Sequence, residues 1–228
     1  MTPLEWEVVT LSLKVSLWAT ALSLPFGILT ALVLARGNFP GKQLLNGIVH
    51  LPLILPPVVT GYLLLLTFGR RAPVGAWLEE TFGLVLAFRW TGAALAAAIM
   101  AFPLMVRAIR LAIEAVDPRI EDAAATLGAS RVMVFLTITL PLTLPGIIAG
   151  AILAFAKAMG EFGATITFVS NIPGETQTLP SAIYAALQVP GGEGAVIRLV
   201  ILSVILAMGA LLVSEWLARR VGHKAGRA

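Results

Sequence analysis

Five uncharged runs constrain what this chain can fold into more than any other feature. Val15–Ala35, Gln43–Gly69, Trp90–Val106, Val132–Ala156 and Leu199–Ser214 contain no Asp, Glu, Lys or Arg. A helix needs about 20 mainly apolar residues to cross a bilayer core of ~30 Å, so each run reads as a spanning helix. The shortest, Leu199–Ser214, extends back through Gly194–Ile197 if Arg198 snorkels to the interface. Across 228 residues, 58% are hydrophobic and 12% charged, with mean hydropathy +0.93. A water-soluble globule of this size could not hide so much apolar surface. Soluble enzymes, disordered chains and nucleic-acid modules are therefore poor readings of this composition. The absence of cysteine rules out disulfides, Cys-ligated zinc and iron–sulfur clusters. The chain reads as an all-α polytopic membrane protein, a single transmembrane domain over 1–228 with its core at about 11–217. Met1–Thr10 carries Glu5 and Glu7 and no basic residue, which argues against a secretory signal peptide.

Five spans place the termini on opposite sides, and lysine and arginine should be richer inside. With the N-terminus outside, the inner segments hold ten basic residues: Arg36, Lys42, Arg107, Arg110, Arg119, Arg131, Arg219, Arg220, Lys224 and Arg227. The other side and its helix ends hold six: Lys14, Arg70, Arg71, Arg89, Lys157 and Arg198. The expected orientation is N-out, C-in, with Arg219–Ala228 as a basic inner anchor and the net charge of +4 suited to an anionic membrane surface.

The inner loop, 117–141, is the most informative segment. Asp117 is a good N-cap and Pro118 suits the first helical position. Glu121 and Asp122 favour the positive end of the helix dipole, and Ala123–Ala125 are strong helix formers. Gly128 can close the helix in a left-handed conformation, and Ser130 can cap a second helix running from Arg131 toward Pro141. A smooth tri-alanine helix fits a partner's groove, but an amphipathic connector lying on headgroups reads equally well from these residues.

The order Asp122-Ala123-Ala124, three residues, Gly128, nine residues, Ile138-Thr139-Leu140-Pro141 resembles the EAA loop of ATP-binding-cassette (ABC) importer permeases, with Asp122 in place of the usual glutamate. The segments Ala35–Lys42, His50–Leu65, Phe102–Asp117 and Gly160–Tyr184 resemble molybdate importer permeases (ModB type), and sulfate/thiosulfate permeases share much of the pattern. The resemblance implies a type I importer permease (MetI-like) fold of about five transmembrane helices plus cytoplasmic coupling helices. It also implies a homodimer, a dimeric ATP-binding subunit (ModC type) that carries ATP and Mg, and an extracytoplasmic molybdate-binding protein (ModA type). The residues it assigns to ATPase coupling are Glu121, Asp122, Ala123, Ala124, Gly128, Ala129, Ile138, Leu140 and Pro141. No cofactor is expected in this chain itself. A phosphate-binding loop needs G-x-x-x-x-G-K-S/T, and Gly41-Lys42 is followed by Gln43 with Arg36 where the first glycine belongs.

Gly160–Gly194 is apolar but broken by glycine and proline, and reads as a re-entrant or gate segment on the outer side containing a short helix at Leu179–Gln188. Irregular backbone at membrane depth survives only inside protein or beside a water-filled cavity; an ordinary packed loop is the other reading. Lys157 and Glu161, four residues apart, can pair. Gly160, Glu161, Phe162, Gly163 and Thr165 are gate candidates, as are Pro56, Pro57 and Thr60 on a span that these prolines must disturb. The alternative for the latter is a kink satisfied by neighbouring helices. His50 reads as a packed or interfacial side chain, and no metal site is expected. Gly146, Gly150, Ala154 and Ala158 form a small-residue stripe for close helix approach to a helix of the same chain or of a second copy. No arginine clamp for an oxyanion is evident within the spans. A secondary transporter would show paired repeats, a membrane enzyme would show clustered catalytic groups, and a simple channel would leave the EAA loop unexplained.

Overall fold

The structure, a computed structural model, describes the backbone of residues 2–225 and the side chains of these except 211 and 214–225. Every regular element among the described residues is a helix. Among the described residues four helices are long and apolar enough to cross a membrane, and a bent pair of shorter helices is apolar enough to make a fifth crossing if it forms one broken span rather than a re-entrant loop. The side chains of the basic tail, Arg219–Ala228, lie outside the described residues.

Helix α1 (Pro3–Arg36) begins well before the uncharged run that was expected to define it. Thr2 and Glu5 form a reciprocal capping box, with Thr2 N donating to Glu5 Oε2 at 2.8 Å and Glu5 N to Thr2 Oγ1 at 3.2 Å. Charge bounds an apolar run, but it does not end a helix once the carboxylate has partners. Glu5 is buried because Arg198 Nε donates to its Oε1 at 2.7 Å.

The second expected span is not one straight helix. It divides into α2 (Lys42–Ile54) and α3 (Pro57–Phe68), which meet at 112°. Leu55, ahead of a proline, is pushed out of the helical region to φ −70°, ψ 143°, and Pro56 follows at φ −55°, ψ 133°. A short helix that the sequence reading did not anticipate, α4 (Pro73–Phe82), follows and ends at Gly83.

The third span also exceeds its expected limit at Val106: α5 runs from Trp90 to Glu114. Arg110 is accommodated because Nε donates to Glu114 Oε1 at 2.7 Å and Nη1 to Asn46 Oδ1 at 3.1 Å. Helix α6 (Pro118–Thr126) follows, then a chain turn, then α7 (Arg131–Val134), a π-turn (Phe135–Thr139) and α8 (Leu140–Met159). These last three form one continuous helix, Arg131–Met159, that passes Pro141 rather than stopping there. Beyond it lie α9 (Gly163–Val169), α10 (Leu179–Leu187) and α11 (Glu193–Ala225).

Helix α5 is the hub, packed against both α1 and α8. Its buried face is rich in alanine (Ala93, Ala94, Ala96, Ala97, Ala101), which lets backbones approach closely. The small-residue stripe of α8 finds its partner within the same chain: a Cβ on Gly146 would lie 2.1 Å from the Ala112 Cβ, and one on Gly150 would lie 2.9 Å from Ile109 Cγ1. Helix α9 is wedged between α3 and α5, and α11 lies along α8 and α10.

Candidate coupling loop and gate segment

The loop geometry follows from its caps. The Asp117 carboxylate accepts from Arg119 N at 2.9 Å, Pro118 opens α6, and Gly128 adopts φ +88°. Ser130 Oγ accepts from Met133 N at 3.3 Å and starts α7. The result is a short helix, a left-handed turn and a second helix, as those residues require.

None of the residues of α6 is buried. Ala123 and Asp122 are exposed, Ala124 and Ala129 half-exposed, and Ile120, Leu127, Val132, Met133 and Leu136 present large apolar side chains to the outside. Further along, Ile138 and Leu140 are partly buried and Pro141 is exposed. The loop residues thus lie on one end of the bundle, with an apolar face that is uncovered among the described residues.

Glu121 turns the other way. Its Oε1 accepts from Thr139 Oγ1 at 2.6 Å, and its Oε2 lies 3.3 Å from Arg36 Nη2, which also donates to Val116 O at 3.0 Å. A cavity of about 620 Å³ adjoins this cluster, lined in part by Leu32, Asp122, Arg131 and Phe135. Sequence reading missed Arg36 and Thr139. The partners are far apart along the chain, and the only local signal was a basic residue at the end of α1.

The gate candidates gather at the opposite end. Glu161 is 3% exposed; its Oε2 accepts from Lys157 Nζ at 3.2 Å and its Oε1 from Ala164 N at 3.0 Å. The expected pair is therefore present, and the carboxylate also caps the first turn of α9. Gly163 sits so close to α3 that an added Cβ would lie 2.7 Å from Pro57 Cβ. A Cβ on Gly61 would lie 2.5 Å from Ala164 O. Pro57 and Gly163, distant in sequence, meet at this crossing of α3 and α9, whereas Gly160 has no neighbour from α3. Thr60 is buried beside it with no hydrogen-bond partner for Oγ1, whereas Thr165 Oγ1 donates within α9 to Phe162 O at 2.8 Å. The Phe162 ring contacts Tyr184 of α10 at 5.2 Å between centroids, and Gly160 is exposed. Ser12 of α1, also unanticipated, accepts from Leu179 N at 2.7 Å and so holds the start of α10.

His50 makes a local hydrogen bond, between Nδ1 and Asn46 O at 2.8 Å. Among the described residues no three of His, Cys, Asp and Glu converge as a metal-binding group.

The profile of a family described as "Binding-protein-dependent transport system inner membrane component" matches residues 23–223. The chain belongs to this family. It is a multi-pass inner-membrane transport component with the fold of ABC importer permeases. Similar solved structures include an inward-facing methionine ABC transporter (TM-score 0.70, 15% identity, covering 95% of this chain and 94% of that one). Another is a bacterial alginate ABC transporter (TM-score 0.75, 18% identity, 96% and 80% covered). Among curated relatives, the molybdenum transport system permease protein ModB of Escherichia coli K12 is 63% identical over 227 residues, covering 100% of this chain and 99% of the relative. The protein of that name from Haemophilus influenzae is 54% identical, covering 98% of each. The chloroplastic sulfate permease 2 of Chlamydomonas reinhardtii is 39% identical, covering 90% of this chain and 56% of the relative.

Proposed function

We propose that this chain is the permease subunit of an ATP-driven molybdate importer and that it also passes tungstate. The full-length likeness to molybdenum permeases carries the reading. It is supported by α6, whose apolar face is exposed and whose helix is capped for docking. In this reading two copies form a homodimer around the anion path. A ModA-type binding protein delivers the oxyanion on the outer side. A dimer of ModC-type subunits receives the two coupling loops inside and supplies ATP hydrolysis with Mg. The orientation is N-out, C-in, as the basic residues favour.

Residues of the 117–141 loop, Asp122 to Ala129 foremost, would contact the ATPase. The crossing of Pro56–Thr60 with Gly160–Thr165 would gate the path, since short helices meeting through glycine can separate without unpacking a long one. Selectivity would rest with the binding protein.

The test is uptake of molybdate, tungstate and sulfate, each competing with the others at submicromolar concentration, in cells with and without the gene. Loss of molybdate and tungstate uptake with sulfate spared is the expected result. Loss of sulfate uptake alone would overturn the substrate and favour a sulfate/thiosulfate permease of the same architecture.

A further inference from the structure

Helix α6 presents a physical problem. It is the element on which the proposed coupling depends, yet none of its residues is buried, and it packs mainly against α7 and the π-turn. Apolar packing therefore cannot fix its position. What holds it is polar. Glu121, on the inward side of α6, is grasped by Thr139 Oγ1 at 2.6 Å and faces Arg36 Nη2 at 3.3 Å. Thr139 is 3% exposed and ends the π-turn, and its carbonyl accepts from Thr143 Oγ1 at 2.8 Å, which anchors it to α8. Arg36 is the last residue of α1 and is itself fixed by Val116 O, just ahead of α6. One carboxylate thus ties the exposed helix to two spanning helices. Charge-assisted hydrogen bonds are the strong ones, and π-turns within α-helices recur at functional positions.

We infer that Arg36, Glu121 and Thr139 form a latch that sets the position of α6 against α1 and α8, making Arg36 and Thr139 positioning residues for energy coupling. What α6 couples to rests on the importer reading above; the latch itself does not. Glu121 then acts within the chain, while Asp122 and the alanines face the partner. When the ATPase moves α6, the latch transmits that movement to both helices instead of letting α6 swing alone.

Two measurements test this. In proteoliposomes holding the complete importer, Thr139→Val and Arg36→Met should retain the ATP-binding subunit on purification. Molybdate imported per ATP hydrolysed should fall about tenfold or more, as loss of a hydrogen bond to a charged group predicts, whereas Thr139→Ser, which keeps the hydroxyl, should stay near the parent. The chain has no cysteine, so a spin label at Leu127→Cys, a site 89% exposed, reports on α6 alone in the full-length permease in lipid. Its spectrum should narrow in Thr139→Val and Arg36→Met but not in Thr139→Ser. Unchanged spectra would overturn the latch, and narrowed spectra with unchanged coupling would overturn its role in transport. Loss of the ATP-binding subunit from Thr139→Val would also overturn it, by placing the cluster at the docking face. A parent complex that neither hydrolyses ATP nor imports molybdate would sink the importer reading, while the label would still decide the latch.

Discussion

Helices α6 and α9 are both short, yet α9 buries Ala164, Thr165, Phe168 and Val169 of its seven residues while the nine-residue α6 buries none. The glycines beside them differ in the same way. Gly61, against α9, has backbone atoms of Ala164 where a side chain would go, whereas Gly128, after α6, has open space around it and is required for its φ of +88°. At the α9 end, short and irregular segments are sealed by protein, as backbone away from water must be. At the α6 end large apolar side chains such as Ile120, Leu127 and Val132 stay exposed. Stability and partner binding should therefore separate cleanly between the two ends.

The sharpest way to break that contrast is the same substitution at both. Gly61→Ala forces α3 away from the α9 backbone and should cost about 3 kcal/mol, the upper range for overpacking. Gly128→Ala strains one exposed turn and should cost about 1 kcal/mol. Thermal unfolding in detergent checks both, and equal losses would refute the contrast. Next in size is Glu161→Ala. It leaves Ala164 N without its acceptor and Lys157 without its partner. The Lys157 side chain is 33% exposed and partly solvated, so the expected cost is about 2 kcal/mol, below that of breaking a fully buried pair. Asp122→Ala, exposed, should leave unfolding unchanged. Glu161→Gln addresses the gate: altered uptake or basal ATPase is expected, and no change in either would remove Glu161 from the gating proposal.

At the α6 end the readout is binding. Ala124→Glu places a charge on the smooth face and should weaken capture of the ATP-binding subunit tenfold or more, about 1.4 kcal/mol, with no shift in unfolding temperature. Retained capture would return the loop to the reading of a headgroup connector.

What the sequence revealed divides along physical lines. Caps are local, so Asp117-Pro118, Gly128 and Ser130 announced the helix-turn-helix, and i,i+4 spacing announced Lys157–Glu161. Hydropathy located all four helices long and apolar enough to cross, and the apolar run that holds the bent pair. It did not show that Pro56–Pro57 turns the chain by 112°, because proline breaks a helix without setting the angle of the next one. Nor could it place α4, which lacks a long apolar run, or the start of α1, where the capping box precedes the apolar stretch. The stripe on α8 was legible as a contact face, but its partner α5 was not, since small residues specify closeness and not identity. Arg36–Glu121, Glu5–Arg198 and Ser12–Leu179 join distant segments, and no periodicity encodes such pairs.

The smallest expected effect probes how the buried end is sealed. Ser12 is 1% exposed; its Oγ donates to Val8 O at 2.9 Å within α1 and accepts from Leu179 N at 2.7 Å. Leu179 opens α10, so its amide is one of the donors that a helix start leaves without an intrahelical acceptor. Removing the hydroxyl strands that donor away from water, and Ser12→Ala should cost about 1 kcal/mol. Ser203, whose Oγ donates to Leu199 O in its own helix at 2.9 Å, is the control, because a hydroxyl that back-bonds its own turn contributes little. Hydrogen exchange separates the two. Ser12→Ala should speed exchange in α10 about fivefold, the equivalent of 1 kcal/mol of local opening, and leave α6 unchanged; Ser203→Ala should do neither. If Ser12→Ala loosens α6 as well, the two ends are mechanically continuous through α1, and their separation into a sealed end and an open one fails.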